Sequence, residues 1–406
     1  MSRRAIDVDE RRARLGRRHL LAPSTRVDDP AGVARAMFAL HATDPATVFL
    51  EHWARMEEGA ASVGVIEKAL YEERTIVRML AMRRTMFVVP VELVSLVHAA
   101  ASRAVAARER RRLVQMLERA AITDDGAAWL APVEEATLRV LTDRGEALAG
   151  ELSDEVPELG VQIAVNQDKK YAAAIGVSTR VLFLLAADGH IARGRPRRSW
   201  ISTQHRWAPI AAWLPEGLDD RPTADAQVEL VRRWLRVFGP ATLNDIKWWT
   251  GWTMGETRRA VAGLDTVEVE VEVDVAGSGG GRSAGLVLAD DVEPVDRREP
   301  WVALLPALDA TPMGWAERDW YLGQHREPLF DRSGNIGPTI WADGRIVGGW
   351  GQRRSDGDIA LRLLDDVGAE ATAAVEVEAH RLGAWLAGVR FTPRFPTPLQ
   401  RELADG

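Results

Sequence analysis

From Val267 to Val275 valine alternates with glutamate or aspartate, so one face is apolar and the other acidic, which predicts a half-buried β-strand. SGGGRSAG follows as its turn and LVLADDV as the returning strand. Three helical segments precede it. AQVELVRRWLRVFGPA is stopped by Gly239-Pro240, TLNDIKWWTG opens on Thr242 as cap, and TMGETRRAVAGL pairs the cap Thr253 with Glu256 in a capping box. Helix, helix, helix, hairpin is the element order of a winged helix-turn-helix.

The same order is read twice more. In the middle of the chain VEEATLRVLTDRGEALAGELSDEVPEL predicts a helix, a break at Gly145 and a short helix capped by Ser153 or Asp154. GVSTRVLFLLAADG is a third helix ended by Gly189, and HIARGRPRRSWISTQHRWAPI predicts two short strands around a basic turn. Near the start, one helix ends about His19–Leu20. A second is capped by Asp28 or Asp29, takes Pro30 in its first turn and runs to about Leu40. VGVIEKALYEERTIVRMLAM reads as a helix, a break and a second short segment, and TMFVVP as a strand closed by Pro90. A long helix then carries a basic stripe at Arg108, Arg110, Arg111 and Arg112.

Beyond Glu299 the period changes. PWVALLPALD, TIWADGRIVGGWGQRR, DIALRLL and VRFTPRF predict short strands, with Asp343-Gly344 as a hairpin turn and EATAAVEVEAHRLGAWLAG as one helix. The expected fold class is α+β. Its expected domains are winged-helix units at 1–120, 121–222 and 223–298, and a β-barrel-like domain at 299–406.

Composition narrows the chemistry. The 406 residues are 46% hydrophobic and 27% charged with no cysteine, so a sizeable core is available, while disulfides, thiolate nucleophiles and cysteine-ligated metals are excluded. The first thirty residues lack an apolar core and read as no secretory signal. No apolar run is long enough to span a membrane. A cytoplasmic monomer is expected. None of the eight histidines lies three or four residues from another, so no metal is expected, and no cofactor motif is present.

Charge adds an asymmetry. The net charge is −7, yet residues 1–120 hold 21 Lys+Arg against 15 Asp+Glu, a local +6. Residues 190–210 hold Arg193, Arg195, Arg197, Arg198 and Arg206 and no acid. On a wing, such a cluster suits the phosphates of DNA, and a solvated surface loop is the competing account. Trp200 and Trp207 flank this hairpin, where base stacking competes with core packing. Trp234, Trp248, Trp249 and Trp252 sit at helical spacing and are expected in the core.

One short segment collects a different chemistry. In His41-Ala42-Thr43-Asp44-Pro45 an imidazole, a hydroxyl and a carboxylate project from a bend that Pro45 imposes. These are groups that can hold and deprotonate a water. Thr43 or Asp44 can equally cap the next helix, and the residues alone leave both readings open.

Several segments together resemble the AlkZ/YcaQ DNA glycosylases, a winged-helix superfamily. They are FALHATDPATVFLEHWARM, MRRTMFVVP, GRPRRSWISTQHRWAP, FGPATLNDIKWWTG, LLPALDATPMGW and DGRIVGGW, in that order along nearly the whole chain. The resemblance implies three tandem winged-helix units around a concave DNA-binding surface, with a β-barrel region. It also implies that Arg83 and Arg84 join the hairpin arginines and Trp200 at the DNA. Family glycosylases carry Gln-Φ-Gln or Gln-Φ-Asp at the active site, Φ being aliphatic. His41-Ala42-Thr43 stands there in this chain, so both outer positions depart.

The resulting expectation is a monofunctional DNA glycosylase that removes bulky or N7-alkylated purines from double-stranded DNA, in genotoxin repair or self-resistance. His41, Thr43 and Asp44 are its candidate catalytic residues. Two rivals remain: a non-catalytic DNA-binding protein, regulatory or lesion-sequestering, and a protein that binds a small genotoxin directly.

Overall fold

The computed structural model describes residues 3–165, 173–273, 281–296 and 299–406. The chain divides into two compact units. One joins Met1–Ile66 to Val228–Gly406, and the other is Glu67–Gln227.

In the first unit the alternating segment forms the strand Thr266–Val273, paired antiparallel with Gly281–Leu288 and, on its other edge, parallel with Ala5–Ile6. Val269, Val271, Val287 and Ile6 make a small core beneath it, while Glu268 and Glu272 face outward. Of the stretch expected as the turn, residues 278–280 lie outside the described residues, and Gly281–Gly285 belong to the returning strand, which starts earlier than expected. The helices Thr223–Phe238, Leu243–Thr250 and Met254–Ala262 precede the hairpin, and Thr242 and Thr253 cap the last two as expected. Trp234, Trp249 and Trp252 are buried. Trp248 is only half-buried, with the Arg318 guanidinium 4.7 Å from its ring.

The C-terminal strands Val302–Leu305, Thr339–Ala342, Arg345–Gln352 and Ile359–Leu363 form an antiparallel meander in chain order. It is an open four-stranded sheet among the described residues, so the expected barrel is not closed. Asp343 and Gly344 take the positive φ of a tight hairpin turn, 48° and 83°. VRFTPRF was expected as a strand and forms none. Pro393 and Pro396 have no N–H to give a ladder. The backbone N–H groups of Phe391 and Arg394 go instead to the side chains of Gln352 and Asp44, at 3.0 and 2.7 Å. The helices Gly368–Leu386 and Pro398–Asp405 flank this strap.

The second unit holds two joined hairpins and a separate antiparallel pair, Gln162–Val165 with Ala173–Gly176. Ile76–Leu80 pairs with Met86–Pro90, Ile191–Pro196 pairs with His205–Pro209, and Arg78 faces Arg193 where the hairpins join. Leu113, Leu117, Leu130, Leu141, Val181 and Leu185 close the core between the helices Arg103–Arg119, Gly126–Arg144 and Val177–Ala187. The short helix after Gly145 starts earlier than expected, at Ala149–Glu155, so Ser153 and Asp154 lie inside it. Its cap is made from within, the Leu148 N–H donating to Glu151 at 2.7 Å.

Candidate active site and nucleic-acid surfaces

The helix Pro30–Met37 ends sharply because Phe38 turns to φ 64°, ψ −48°, the centre of a three-residue γ-turn in which the Ala39 N–H donates to the Met37 carbonyl at 2.7 Å. Two extended residues, Leu40–His41, follow, and the helix Pro45–Arg55 begins three residues later. Asp44 is the N-cap of that helix. One carboxylate oxygen accepts from the Ala46 N–H at 3.0 Å and the other from the Arg394 N–H at 2.7 Å. His41 is 6% exposed, and its Nδ1 accepts a long hydrogen bond, 3.5 Å, from the Thr43 N–H. The Thr43 carbonyl is itself 3.5 Å from the Arg394 guanidinium. His41, Thr43 and Asp44 therefore share one turn, and the carboxylate of the three is already engaged by two backbone donors.

Beneath this turn lies a set of buried charges that the sequence reading did not single out. Arg55, at the end of the same helix, makes two parallel bonds to Asp309 at 2.7 and 2.8 Å and a third to the Thr311 hydroxyl at 2.8 Å. Thr311 also meets His19 Nδ1 at 2.8 Å, and Asp309 accepts the Thr311 N–H at 2.8 Å. One turn back, Glu51 accepts the Ala310 N–H at 2.7 Å, and the His41 N–H is also directed at its carboxyl. Burial, with Asp309 nearby, raises the Glu51 pKa well above the ordinary value, against the pull of Arg55 and the two backbone donors. Burial, and then the Arg55 charge, keep His19 neutral. The Thr47 hydroxyl adds a bond to the Ala307 carbonyl at 2.7 Å. Segments more than 250 residues apart, LHATDPATVFLEHWAR and PALDAT, are thus clamped together by polar groups with no solvent access. The signal for these residues was present as charges embedded in apolar runs, Glu51 and Arg55 in VFLEHWARM and Asp309 in LLPALDATPM. Such residues are rarely buried unless paired.

The arginines expected at DNA all belong to the second unit. Arg83 and Arg84 form the tip of the first hairpin and both adopt left-handed backbone, φ 54° and 60°. A turn of that kind is ordinarily made by Asn-Gly or Asp-Gly, as at Asp343-Gly344. Arg84 pairs with Glu109 at 3.0 Å and lies 5.2 Å from the Phe183 ring. At the second hairpin Arg197 and Arg198 are exposed, and Arg198 also has a positive φ, 74°. No acid occurs within residues 190–210, yet the fold brings acids to this hairpin. Arg195 meets Glu67 and Glu72 at 2.8 and 3.0 Å, and Arg206 meets Glu146 and Glu151 at 3.4 and 3.3 Å. The Arg193 guanidinium lies 5.5 Å from the Trp207 ring. Trp200 is 6% exposed, so its ring is placed as core and not as an open stacking surface. Of the Arg108–Arg112 stripe, Arg110 is held by Glu134 and Asp188.

Among the described residues no three His, Asp or Glu side chains converge as a metal-binding set. Nor is any helix among them long and apolar enough to cross a membrane.

A family model described as DNA glycosylase AlkZ-like matches residues 34–385, which hold the His41 turn, the buried ion pair and both arginine hairpins. The chain belongs to the AlkZ-like DNA glycosylase family. No curated protein matches this AlkZ-like chain. Its fold is similar to the solved structure of Streptomyces sahachiroi DNA glycosylase AlkZ, with a TM-score of 0.71 at 18% identity over 96% of this chain and 99% of that one.

Proposed function

We propose that this AlkZ-like protein is a monofunctional glycosylase that excises bulky or N7-alkylated purines from duplex DNA without metal or cofactor, in repair of, or self-resistance to, a genotoxin. Alkylation at N7 makes the base cationic and a good leaving group. The C1′–N9 bond then breaks with its electron pair moving to the base, and the enzyme's task is to place a water and stabilise an oxocarbenium-like sugar. His41 accepts the proton of the water that attacks C1′. Neutral imidazole presents one donor and one acceptor nitrogen, the same pair of functions as the carboxamide that the family motif carries at this position. Thr43 supplies a hydrogen bond to the same water. Asp44 serves as the helix cap.

The observation that carries this reading is the bond between the His41 backbone and a fully buried carboxyl, Glu51, beside the Arg55–Asp309 pair. A buried ion pair is weak evidence for added stability. Its placement under one short turn, in which His41 is buried and Thr43 half-buried, is what a site requires, because reacting groups must be held within about 0.5 Å of their productive geometry. The helix, helix, helix, hairpin order ending at Gly281–Leu288 supports a winged-helix reading of that region. The paired left-handed arginines at 83 and 84 support DNA contact at that hairpin, since backbone strain gathers at functional sites.

The test is incubation with N7-alkylated duplex DNA followed by alkaline cleavage of abasic sites. Strand breaks that fall by roughly 10²–10⁴-fold in His41→Ala, the usual worth of a general base, support the proposal. A gel shift without breaks in the wild-type protein supports the non-catalytic DNA-binding reading in its place.

A further inference from the structure

A cleft of about 550 Å³ opens in the first unit between the loop after Phe330 and the strap that leads into the helix Pro398–Asp405. Arg332, Arg394 and Arg401 line it, with Phe330, Phe395 and Pro398. All three arginines are exposed, and among the described residues none forms an ion pair. The acid on the rim, Asp331, is turned into its own loop, accepting the Ser333 and Asn335 N–H groups and the Asn335 side-chain amide, each at 2.8 Å. The wall is therefore cationic, with the half-buried Phe395 ring 5.6 Å from the Arg394 guanidinium. Three guanidinium groups that form no ion pair among the described residues, gathered in one concave site, raise the local potential and favour a polyanion whose oxygens can accept bidentate bonds.

The position of Arg394 ties this cleft to the His41 turn. Its backbone N–H holds Asp44 at 2.7 Å, and its guanidinium stands 3.5 Å from the Thr43 carbonyl. An anion held by the Arg394 side chain would lie beside the segment that carries His41 and Thr43. The strap residues 394–401 fall beyond the region that the family model matches, residues 34–385.

We propose that this cleft grips the sugar–phosphate backbone of the DNA strand, with Arg394 and Arg401 each on a phosphate, next to the nucleotide presented to His41. This inference rests on the reading of the protein as a DNA glycosylase. Charge complementarity selects a DNA phosphate backbone, and the nearness of the Thr43 carbonyl selects the strand that enters the site. The Arg394→Ala change spares the Asp44 anchor, because that donor is backbone.

The experiment measures the salt dependence of duplex DNA binding by the full chain and by Arg394→Ala/Arg401→Ala. Each lost phosphate contact lowers the log–log slope by about 0.9, so the double variant should lose about 1.8. Arg394→Lys/Arg401→Lys keeps both charges and should retain most of the slope. An unchanged slope in the alanine variant, with wild-type protein that binds and excises, overturns the grip and leaves the glycosylase reading standing. Equal losses in the alanine and lysine variants also overturn it, since a structural role does not follow charge. Wild-type protein that binds no DNA overturns both, and binding of an acidic peptide in place of DNA assigns the cleft to a protein partner.

Discussion

Arg55 and Asp309 meet in a bidentate ion pair at 2.7 and 2.8 Å with neither side chain exposed to solvent. The pair joins the helix behind His41 to the turn that follows the strand Val302–Leu305. It anchors the C-terminal end of that helix, whose first turn is capped by Asp44 beside His41.

Removing one partner leaves the other charge buried and alone. Asp309→Ala should destabilise the protein by about 3–5 kcal/mol. Arg55→Met combined with Asp309→Leu should cost clearly less than the sum of the single changes, as read by urea unfolding midpoints. Additive losses would show that the two charges are not coupled.

Asp44 and His41 should separate by phenotype. Asp44→Ala removes a helix cap and should cost about 1–2 kcal/mol of stability. His41→Ala should leave the unfolding midpoint near wild type and act on excision. If Asp44→Asn abolishes excision while His41→Ala is tolerated, the carboxylate is the base and the assignment is reversed.

Replacing Arg83-Arg84 by Asn-Gly puts residues suited to positive φ into the turn. The backbone cost, about 1–2 kcal/mol per left-handed residue, should be relieved, less a small loss from the partly exposed Arg84–Glu109 pair. The expected result is a higher unfolding midpoint together with weaker DNA binding. A variant that gains stability and keeps its full affinity would remove this hairpin from the DNA interface.

The arginines of the second hairpin should not contribute equally to DNA binding. Arg197 and Arg198 are exposed and make no ion pair among the described residues, whereas Arg195 is shared between two glutamates. Arg197→Ala/Arg198→Ala should lower the salt slope of binding by about 1.8, and Arg195→Ala should change it little. Titrations of DNA at several salt concentrations give all three slopes.

His205 should govern part of the acid sensitivity. Burial, then Arg78 and Arg193, push its pKa down to about 2, so it stays neutral in the fold while the unfolded chain protonates below about 6.5. The unfolded state then binds more protons, and stability falls as pH drops below that value, by up to about 1.4 kcal/mol per pH unit for one such group. His205→Gln should flatten the acid side of an unfolding curve measured between pH 7.5 and 5. Glu51 has the opposite sign. Its raised pKa favours the neutral acid in the fold, so its contribution is present at low pH and is lost as pH rises above the unfolded value. Glu51→Gln should therefore remove a loss of stability that sets in as pH rises above about 4.5.

Much of the local structure was legible because it depends on neighbours in the chain. The valine–acid alternation at 267–273 needs only the two-residue period of a strand. Thr242, Thr253 and the Asp343-Gly344 turn need only side chains within three residues, and the His41 motif could be found by its types and order. Asp44 shows where that information stops. Whether it was cap or base depended on both of its carboxylate oxygens, and the donor to one of them, Arg394, lies 350 residues away. VRFTPRF has the residues of a strand, but the N–H groups of Phe391 and Arg394 are taken by distant side chains, and Pro393 has none to give. Arg195 looked unpaired in a stretch without acids until folding brought Glu67 and Glu72 beside it. Charged groups act through space over several ångströms, so which arginines remain available to an anion, and which carboxyls are buried, was decided only when the chain closed on itself.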